Sequence, residues 1–95
     1  MKKIYKYTLA VADIQKIKVQ MLDDTTSFKD QVLMVDSQKD KPFLWCMVDD
    51  KLPVRDISIY TFGTGHPISD VSKKDYLGSY MLRDDTIVFH VFLGT

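Results

Sequence analysis

The most regular feature of the chain is an alternation of apolar and polar residues with a period of two, in segments rich in β-branched and aromatic side chains. Neighbouring side chains of a strand point to opposite faces of its sheet, so this period is typical of strands with one buried face. The pattern predicts seven short strands, over residues 2–9, 14–20, 30–37, 42–49, 54–62, 76–82 and 86–93. The last two are joined only by residues 83–85, which favours a hairpin.

The segments between the strands are short and polar. Residues 21–28 contain a run of Asp, Thr and Ser that is typical of a loop. Residues 69–75 are compatible with one helical turn that begins at Ser69 or Asp70 as the capping residue. We therefore predict an all-β single domain over residues 1–95, a small antiparallel barrel or sandwich with at most one short helical turn.

Two of the predicted strands, 42–49 and 86–93, are apolar on both faces. One face of an antiparallel sheet normally meets water, and a chain of 95 residues has little mass with which to cover both faces of two strands. We therefore expect a homo-oligomer, a dimer or a tetramer, in which subunits cover each other. Alternatively, the two apolar faces of these strands are covered within one subunit, shared between the interior of a barrel and the loop at 21–29.

Charge and composition narrow the function classes. Thirteen Lys and Arg balance thirteen acidic residues, which argues against a binder of nucleic-acid polymers but leaves room for a small anion held by one or two local cations. No apolar run approaches the ~20 residues that span a bilayer, and the basic start lacks the apolar stretch of a signal peptide. We expect a cytoplasmic protein without membrane contact. The single cysteine, Cys46, forms no internal disulfide and is interpreted as a small buried apolar residue.

The sharpest local motif is the segment Phe62–Ile68, which contains Gly63, Thr64, Gly65 and His66. Two glycines at a strand end let backbone N–H groups approach a ligand closely, and they can form a nest for a phosphate or a carboxylate. The threonine adds a hydroxyl and the histidine a group that titrates near neutral pH. The alternative is a tight turn with a bulge, in which His66 caps backbone carbonyl groups.

Aromatic and arginine side chains are the other candidates for ligand contacts. Bases stack on aromatic rings, although most rings of so small a domain must form its core. Arginines can pair with phosphate. The candidates are Trp45, Tyr60, Phe62, Tyr76 and Tyr80 for stacking, and Arg55 and Arg83 for phosphate.

Catalytic and metal-binding motifs are not found in the sequence. His66 and His90 are the only histidines, without the spacing of a metal site, and His90 alternates with apolar residues as a hydrogen-bonded core or interface histidine does. The acidic pairs fall in predicted turns, and no nucleophile motif is present. We therefore assign no catalytic residue, no metal and no cofactor.

Four sequence blocks together resemble a family of small uncharacterised phage and prophage proteins. The blocks are Phe43–Asp49 with its Leu-Trp and Val-Asp pairs, Phe62–Ile68 with Gly-Thr-Gly-His-Pro, Tyr76–Tyr80, and Val88–Phe92 with Val-Phe-His-Val-Phe. The chain also resembles the anti-CBASS sponge proteins, with which phages sequester cyclic nucleotide signals. That resemblance implies an oligomer that binds a cyclic dinucleotide without cleaving it.

Three hypotheses follow. The first is a phage immune-evasion sponge that binds a cyclic dinucleotide such as 3′3′-cGAMP and so inhibits CBASS-type defence in the cytoplasm of the infected bacterium. Its expected contacts come from Trp45, Tyr60, Phe62, Gly63, Thr64, Gly65, His66 and Arg83. The second is a small hydrolase or phosphodiesterase that uses His66. The third is an interaction module that inhibits a host factor through its sheet edge or an apolar face. We favour the first and expect no enzyme.

Overall fold

The chain folds into two antiparallel β-sheets. The computed structural model describes residues 1–94, and within them it contains seven strands and two isolated helical turns. The strands are β1 Lys2–Thr8, β2 Ile14–Gln20, β3 Val32–Gln38, β4 Lys41–Asp49, β5 Val54–Gly63, β6 Tyr76–Leu82 and β7 Ile87–Leu93. The helical turns are α1 Phe28–Gln31 and a 3-10 turn at Lys73–Asp75. The all-β class and the number of strands predicted from the alternation are confirmed.

The strand order decides between the two predicted architectures. One sheet has the order β1-β4-β3 and the other β2-β5-β7-β6, and neither closes on itself among the described residues. A closed barrel is therefore excluded. The predicted hairpin is confirmed, because β6 pairs with β7 from Tyr76–Phe92 to Leu82–Ile87.

The helical turns correct the sequence prediction. A loop was predicted over 21–28 and a strand from residue 30, but α1 occupies residues 28–31 and β3 begins at Val32. Ser27 caps this turn, since its Oγ accepts the N–H of Asp30 at 3.4 Å, and the turn buries Phe28 and Gln31 on the same side. The predicted turn within 69–75 is present, but it is capped by Ser72, whose N–H donates to Asp75, and not by Ser69 or Asp70.

The core lies between the inner faces of the two sheets. On β4, the side chains of Leu44, Cys46 and Val48 are fully buried, while Phe43 and Trp45, which alternate with them, are half-buried on the outer face. Burial raises the pKa of the Cys46 thiol to about 11, which confirms the interpretation of this cysteine as a buried apolar residue. The two-faced pattern of β4 therefore corresponds to one core face and one partly exposed apolar face.

β6 and β3, which are edge strands of the two sheets, are in close contact. Gly78 has a φ of +153°, and a Cβ atom built on it would lie 2.9 Å from the Cβ of Val35. No side chain larger than hydrogen fits there without displacing the neighbouring strand. This glycine therefore allows the close approach of β6 to β3.

Helices within residues 1–94 are all single turns, and none has the length and apolar character needed to cross a bilayer.

Candidate functional site

The candidate site begins where β5 extends beyond its neighbour β2. Ile14, the first residue of β2, pairs with Tyr60, whereas β5 continues to Gly63. The N–H of Thr61 still donates to the carbonyl of Asp13 at 2.9 Å, and beyond this bond β2 no longer covers β5. The uncovered side of the strand forms the floor of a cleft.

A tight turn follows directly after β5. The N–H of His66 donates to the carbonyl of Gly63 at 3.1 Å, which closes a β-turn over Gly63–His66. Gly65 takes the third position with a φ of +89°, as a type II turn requires, and space around it is open. The tight turn, which is the alternative to a ligand nest at this segment, is therefore present. The turn leaves the space around Gly65 open, so its geometry is also compatible with a ligand nest.

Thr64 connects this turn to β7 through hydrogen bonds. Its N–H donates to the carbonyl of Val88 at 3.2 Å, and its Oγ1 lies 2.8 Å from Nε2 of His90. His90 is hydrogen-bonded, as predicted, but it lies half-buried on the outer face and not in the core. No sequence pattern predicts this pair, because 26 residues separate its members and only strand pairing brings them together.

The cleft beside β5 has a volume of about 380 Å³, within the range of small-molecule pockets. We call it the GTGHP cleft. Asp13 and Ile14 form one side, Tyr60, Thr61 and Phe62 the floor, and His66, Pro67, Ser69 and Asp70 the opposite side. Sequence reasoning predicted Tyr60, Phe62 and His66 here, but it did not predict the two carboxylates or Thr61.

The side chain of Thr61 does not point into this cleft. Thr61 alternates with Tyr60 and Phe62 along β5, so it points to the inner face of the sheet while the two rings point to the outer face. Thr61 is only 4% exposed, and its Oγ1 has no hydrogen-bond partner among residues 1–94. Leaving a buried polar group unpaired costs about 1–3 kcal/mol. This hydroxyl is buried toward the core and is not a contact for a ligand in the cleft.

The aromatic floor of the cleft is positioned by close packing. The ring of Tyr60 lies against Gly94, where an added Cβ would come within 2.5 Å of a ring carbon. The ring of Phe62 makes an edge-to-face contact with Phe92, with ring centroids 5.8 Å apart. Both rings are half-buried on the outer face of the sheet. Their positions are therefore set before any ligand arrives.

His66 separates the GTGHP cleft from a second one. Its ring folds back over Gly63, where an added Cβ would lie 3.3 Å from Nδ1. The same residue lines a cleft of about 360 Å³ with Gly63, Thr64, Thr86, Ile87, Val88 and Phe89. No carboxylate from the described part of the chain lines this second cleft. His66 can therefore contact groups on both sides of the turn.

Two of the predicted contact residues lie elsewhere. Trp45 is on β4 in the other sheet, where it pairs with Lys6 and Met34. Arg83 is in the β6–β7 turn, its N–H donates to Asp40 at 2.6 Å, and it lines a separate cleft with Asp40, Asp84 and Asp85. The structure thus brings together Tyr60, Phe62, Gly63, Thr64, Gly65 and His66, and places Trp45 and Arg83 outside the GTGHP cleft.

The other candidates from the sequence are also accounted for. Tyr80 is buried in the core, stacked on Phe89 at 5.2 Å, and Tyr76 is partly exposed against Phe92. Arg55 is exposed on β5, near the end far from the GTGHP turn. Within residues 1–94, no three His, Cys or Asp side chains are grouped as a metal site would require.

Comparison with family models identifies the family of the chain. The chain belongs to the family described as "Domain of unknown function (DUF7352)", which matches residues 1–95. Neither a curated protein nor a solved structure shows a significant similarity to it.

Proposed function

We propose that this protein is a phage immune-evasion sponge, which binds a cyclic dinucleotide such as 3′3′-cGAMP in the GTGHP cleft and sequesters it without cleavage. The observation that carries the binding part is a cleft of about 380 Å³ in which the half-buried rings of Tyr60 and Phe62 lie beside His66, Asp13 and Asp70. The phage context and the anti-CBASS role rest on the resemblance of the four sequence blocks.

The lining of the GTGHP cleft suits a purine base. Tyr60 and Phe62 offer ring faces and edges to a flat ligand, at about 1–3 kcal/mol for each stacked base. Asp13 and Asp70 are acceptors when ionised, and the ring nitrogen and exocyclic amine of guanine are donors. The two carboxylates would repel a phosphate in the same place. We therefore place a guanine base in the GTGHP cleft.

The phosphates belong on the other side of His66. The cleft beside Thr64 and Thr86 carries no carboxylate among the described residues, and His66 lies between it and the base. A ring N–H of His66 can donate to the phosphodiester, which links recognition of base and phosphate at one residue. A ligand with two bases then extends beyond the GTGHP cleft of one subunit.

A second subunit would hold the second base. The outer face around the cleft carries exposed apolar side chains, among them Ile14, Tyr76 and Met81. Water-exposed apolar patches of this kind mark interaction surfaces. We propose that a homo-oligomer, a dimer or a tetramer, covers this face and completes the pocket.

Calorimetric titration with a panel of cyclic dinucleotides tests the function. We expect tight binding of a guanine-containing member, and recovery of the unmodified ligand after heat denaturation, which separates a sponge from a hydrolase. No heat at micromolar protein with any member would refute the proposal. Turnover of the ligand, followed by chromatography, would instead support the enzyme hypothesis.

The substitution Asp70→Asn tests the site. Asparagine keeps the shape of aspartate and tolerates the φ of +64° at this exposed position, so stability should not fall. Loss of one ligand hydrogen bond should weaken binding about 5-fold. Asp85→Asn, at an exposed position of the β6–β7 turn with a φ of +65°, is the matched control and should leave the affinity unchanged.

The alternative is an interaction module that inhibits a host factor through the apolar outer face of the β2-β5-β7-β6 sheet. The exposure of Ile14, Tyr76 and Met81 favours it. It predicts that a purified host protein binds the chain while the whole cyclic-dinucleotide panel gives no heat, and that Met81→Lys abolishes this binding.

A further inference from the structure

A further cleft with different chemistry lies on the β1-β4-β3 sheet, at the end where the β3–β4 turn joins two of its strands. It has a volume of about 690 Å³ and is lined by Lys6 of β1, Gln38 of β3, Lys39 of the β3–β4 turn, and Lys41 and Phe43 of β4. We call it the lysine cleft. Trp45 lies beside it, with its ring centroid 6.0 Å from that of Phe43.

The lysine cleft is a concentration of positive charge on a chain whose net charge is zero. Three lysines line it, and no aspartate of residues 1–94 does. The carboxylates nearest in sequence are engaged elsewhere: that of Asp40 accepts the N–H of Arg83 at 2.6 Å, and that of Asp36 accepts the N–H of Ser37 at 2.8 Å. The local balance of charge therefore favours an anionic ligand.

Lys6 is held in place at the wall of this cleft. Its Nζ lies 2.6 Å from Oε1 of Gln38, 4.0 Å from the ring centroid of Phe43 and 5.7 Å from that of Trp45. An ammonium group has three donors, and the glutamine takes one of them. The remaining donors are available to a ligand, while the rings offer an apolar surface beside the charge.

Lys39 has a backbone conformation that is unfavourable for lysine. Its φ is +51° and that of Asp40 is +60°, so both lie in the left-handed region of a two-residue hairpin turn. Glycine or asparagine is the usual residue at the first position, and other residues pay about 1–2 kcal/mol there. A strained residue that also lines a cleft is a reason to look for function.

We propose that the lysine cleft binds the phosphate of a nucleoside phosphate, with the aromatic base lying beside Phe43 and Trp45. Lys6, Lys39 and Lys41 hold the phosphate as point charges, and the rings give a nucleotide an advantage over inorganic phosphate. The inference does not depend on the GTGHP cleft, because no residue is shared between the two linings.

The chain contains one tryptophan, so intrinsic fluorescence reports on the neighbourhood of this cleft. Titration with adenosine 5′-monophosphate at low salt should quench Trp45, and the apparent affinity should fall as salt is added. Adenosine without phosphate should give no saturable quenching, and inorganic phosphate should compete only weakly. Equal affinity for phosphate and nucleotide, or saturable quenching by adenosine alone, would overturn the assignment.

The substitution Lys39→Asn separates function from folding. Asparagine tolerates positive φ better than lysine, so the melting temperature should stay the same or rise, while the affinity for the nucleotide should fall about 5-fold. Lys73→Gln removes the same charge from the exposed 3-10 turn and is the matched control. An unchanged affinity in Lys39→Asn, or an equal loss in both variants, would refute the proposal. Repeating the titration in Asp70→Asn protein shows whether quenching reports the lysine cleft alone.

Discussion

The close approach of β6 to β3 should depend on Gly78, and Gly78→Ala is the sharpest test of the fold. The new methyl group would lie 2.9 Å from Cβ and 3.0 Å from Cγ2 of Val35, well inside the ~3.5–4.0 Å of favourable carbon contacts. Val35 is itself buried on β3, so it has no free space into which to move. Overpacking of this kind costs about 1–3 kcal/mol.

Backbone strain adds to this cost. A φ of +153° is unfavourable for alanine, and sparsely populated conformations cost about 1–3 kcal/mol. Because the strand can relieve part of both terms by shifting, we expect a loss of about 3 kcal/mol in the free energy of unfolding. For a domain of this size the loss lowers the melting temperature by about 12–24 °C.

Gly65→Ala is the matched control, because Gly65 also has a positive φ but an added Cβ would meet nothing within 4 Å. It should cost only about 1–2 kcal/mol of strain. The free energies are measured by urea unfolding followed by circular dichroism, with the m-value checked for constancy. Equal losses in the two variants, or a loss below about 0.5 kcal/mol for Gly78→Ala, would refute the packing argument.

Two further predictions concern the site and the pH dependence of stability. Gly94→Ala should displace the ring of Tyr60, because the added methyl would lie 2.5 Å from a ring carbon, and calorimetry should then show weaker ligand binding. In a Tyr60→Ala background, Gly94→Ala should have little further effect on the affinity, and an equal effect in both backgrounds would contradict the contact. Hydrogen bonds from Thr26 and Thr25 lower the pKa of Asp23 to about 2, below its ordinary 3.8. The ionised carboxylate therefore stabilises the fold above pH ~4, and this stabilisation should be lost as the pH falls toward 2. Thermal melts between pH 2 and 6 should show a shallower acid dependence in Asp23→Asn, and an unchanged profile would contradict this role.

Much of the fold was predictable because it depends on local periodicity. The alternation in β5 places Ile59 and Thr61 inside and Tyr60 and Phe62 outside, as the buried fractions confirm. The turn α1 escaped prediction because its stability comes from the burial of Phe28 and Gln31, which depends on the rest of the fold. Within the site, the glycine at position 65 indicated a turn, because few other residues adopt the positive φ that the turn requires.

The remaining features of the site depend on strand pairing across long stretches of sequence. Trp45 and the GTGHP segment both looked like parts of one site, but pairing assigns them to different sheets. Asp13 faces the cleft only because β2 starts opposite Tyr60, and a shift of register by one residue would reverse which side chains face inward. No residue pattern within a single strand carries this information.

The sequence by itself determined the all-β class, the seven strands, the positions of their turns and the two apolar faces of β4 and β7, because each follows from side chains a few residues apart. Tertiary structure alone decided that the sheets are two and unclosed, that Thr64 meets His90, that Asp13 and Asp70 line one cleft with Tyr60 and Phe62, and that three lysines line a cleft with Phe43. The physical reason is that strand order and register are set by how the whole chain buries its apolar surface, and no local segment specifies that arrangement.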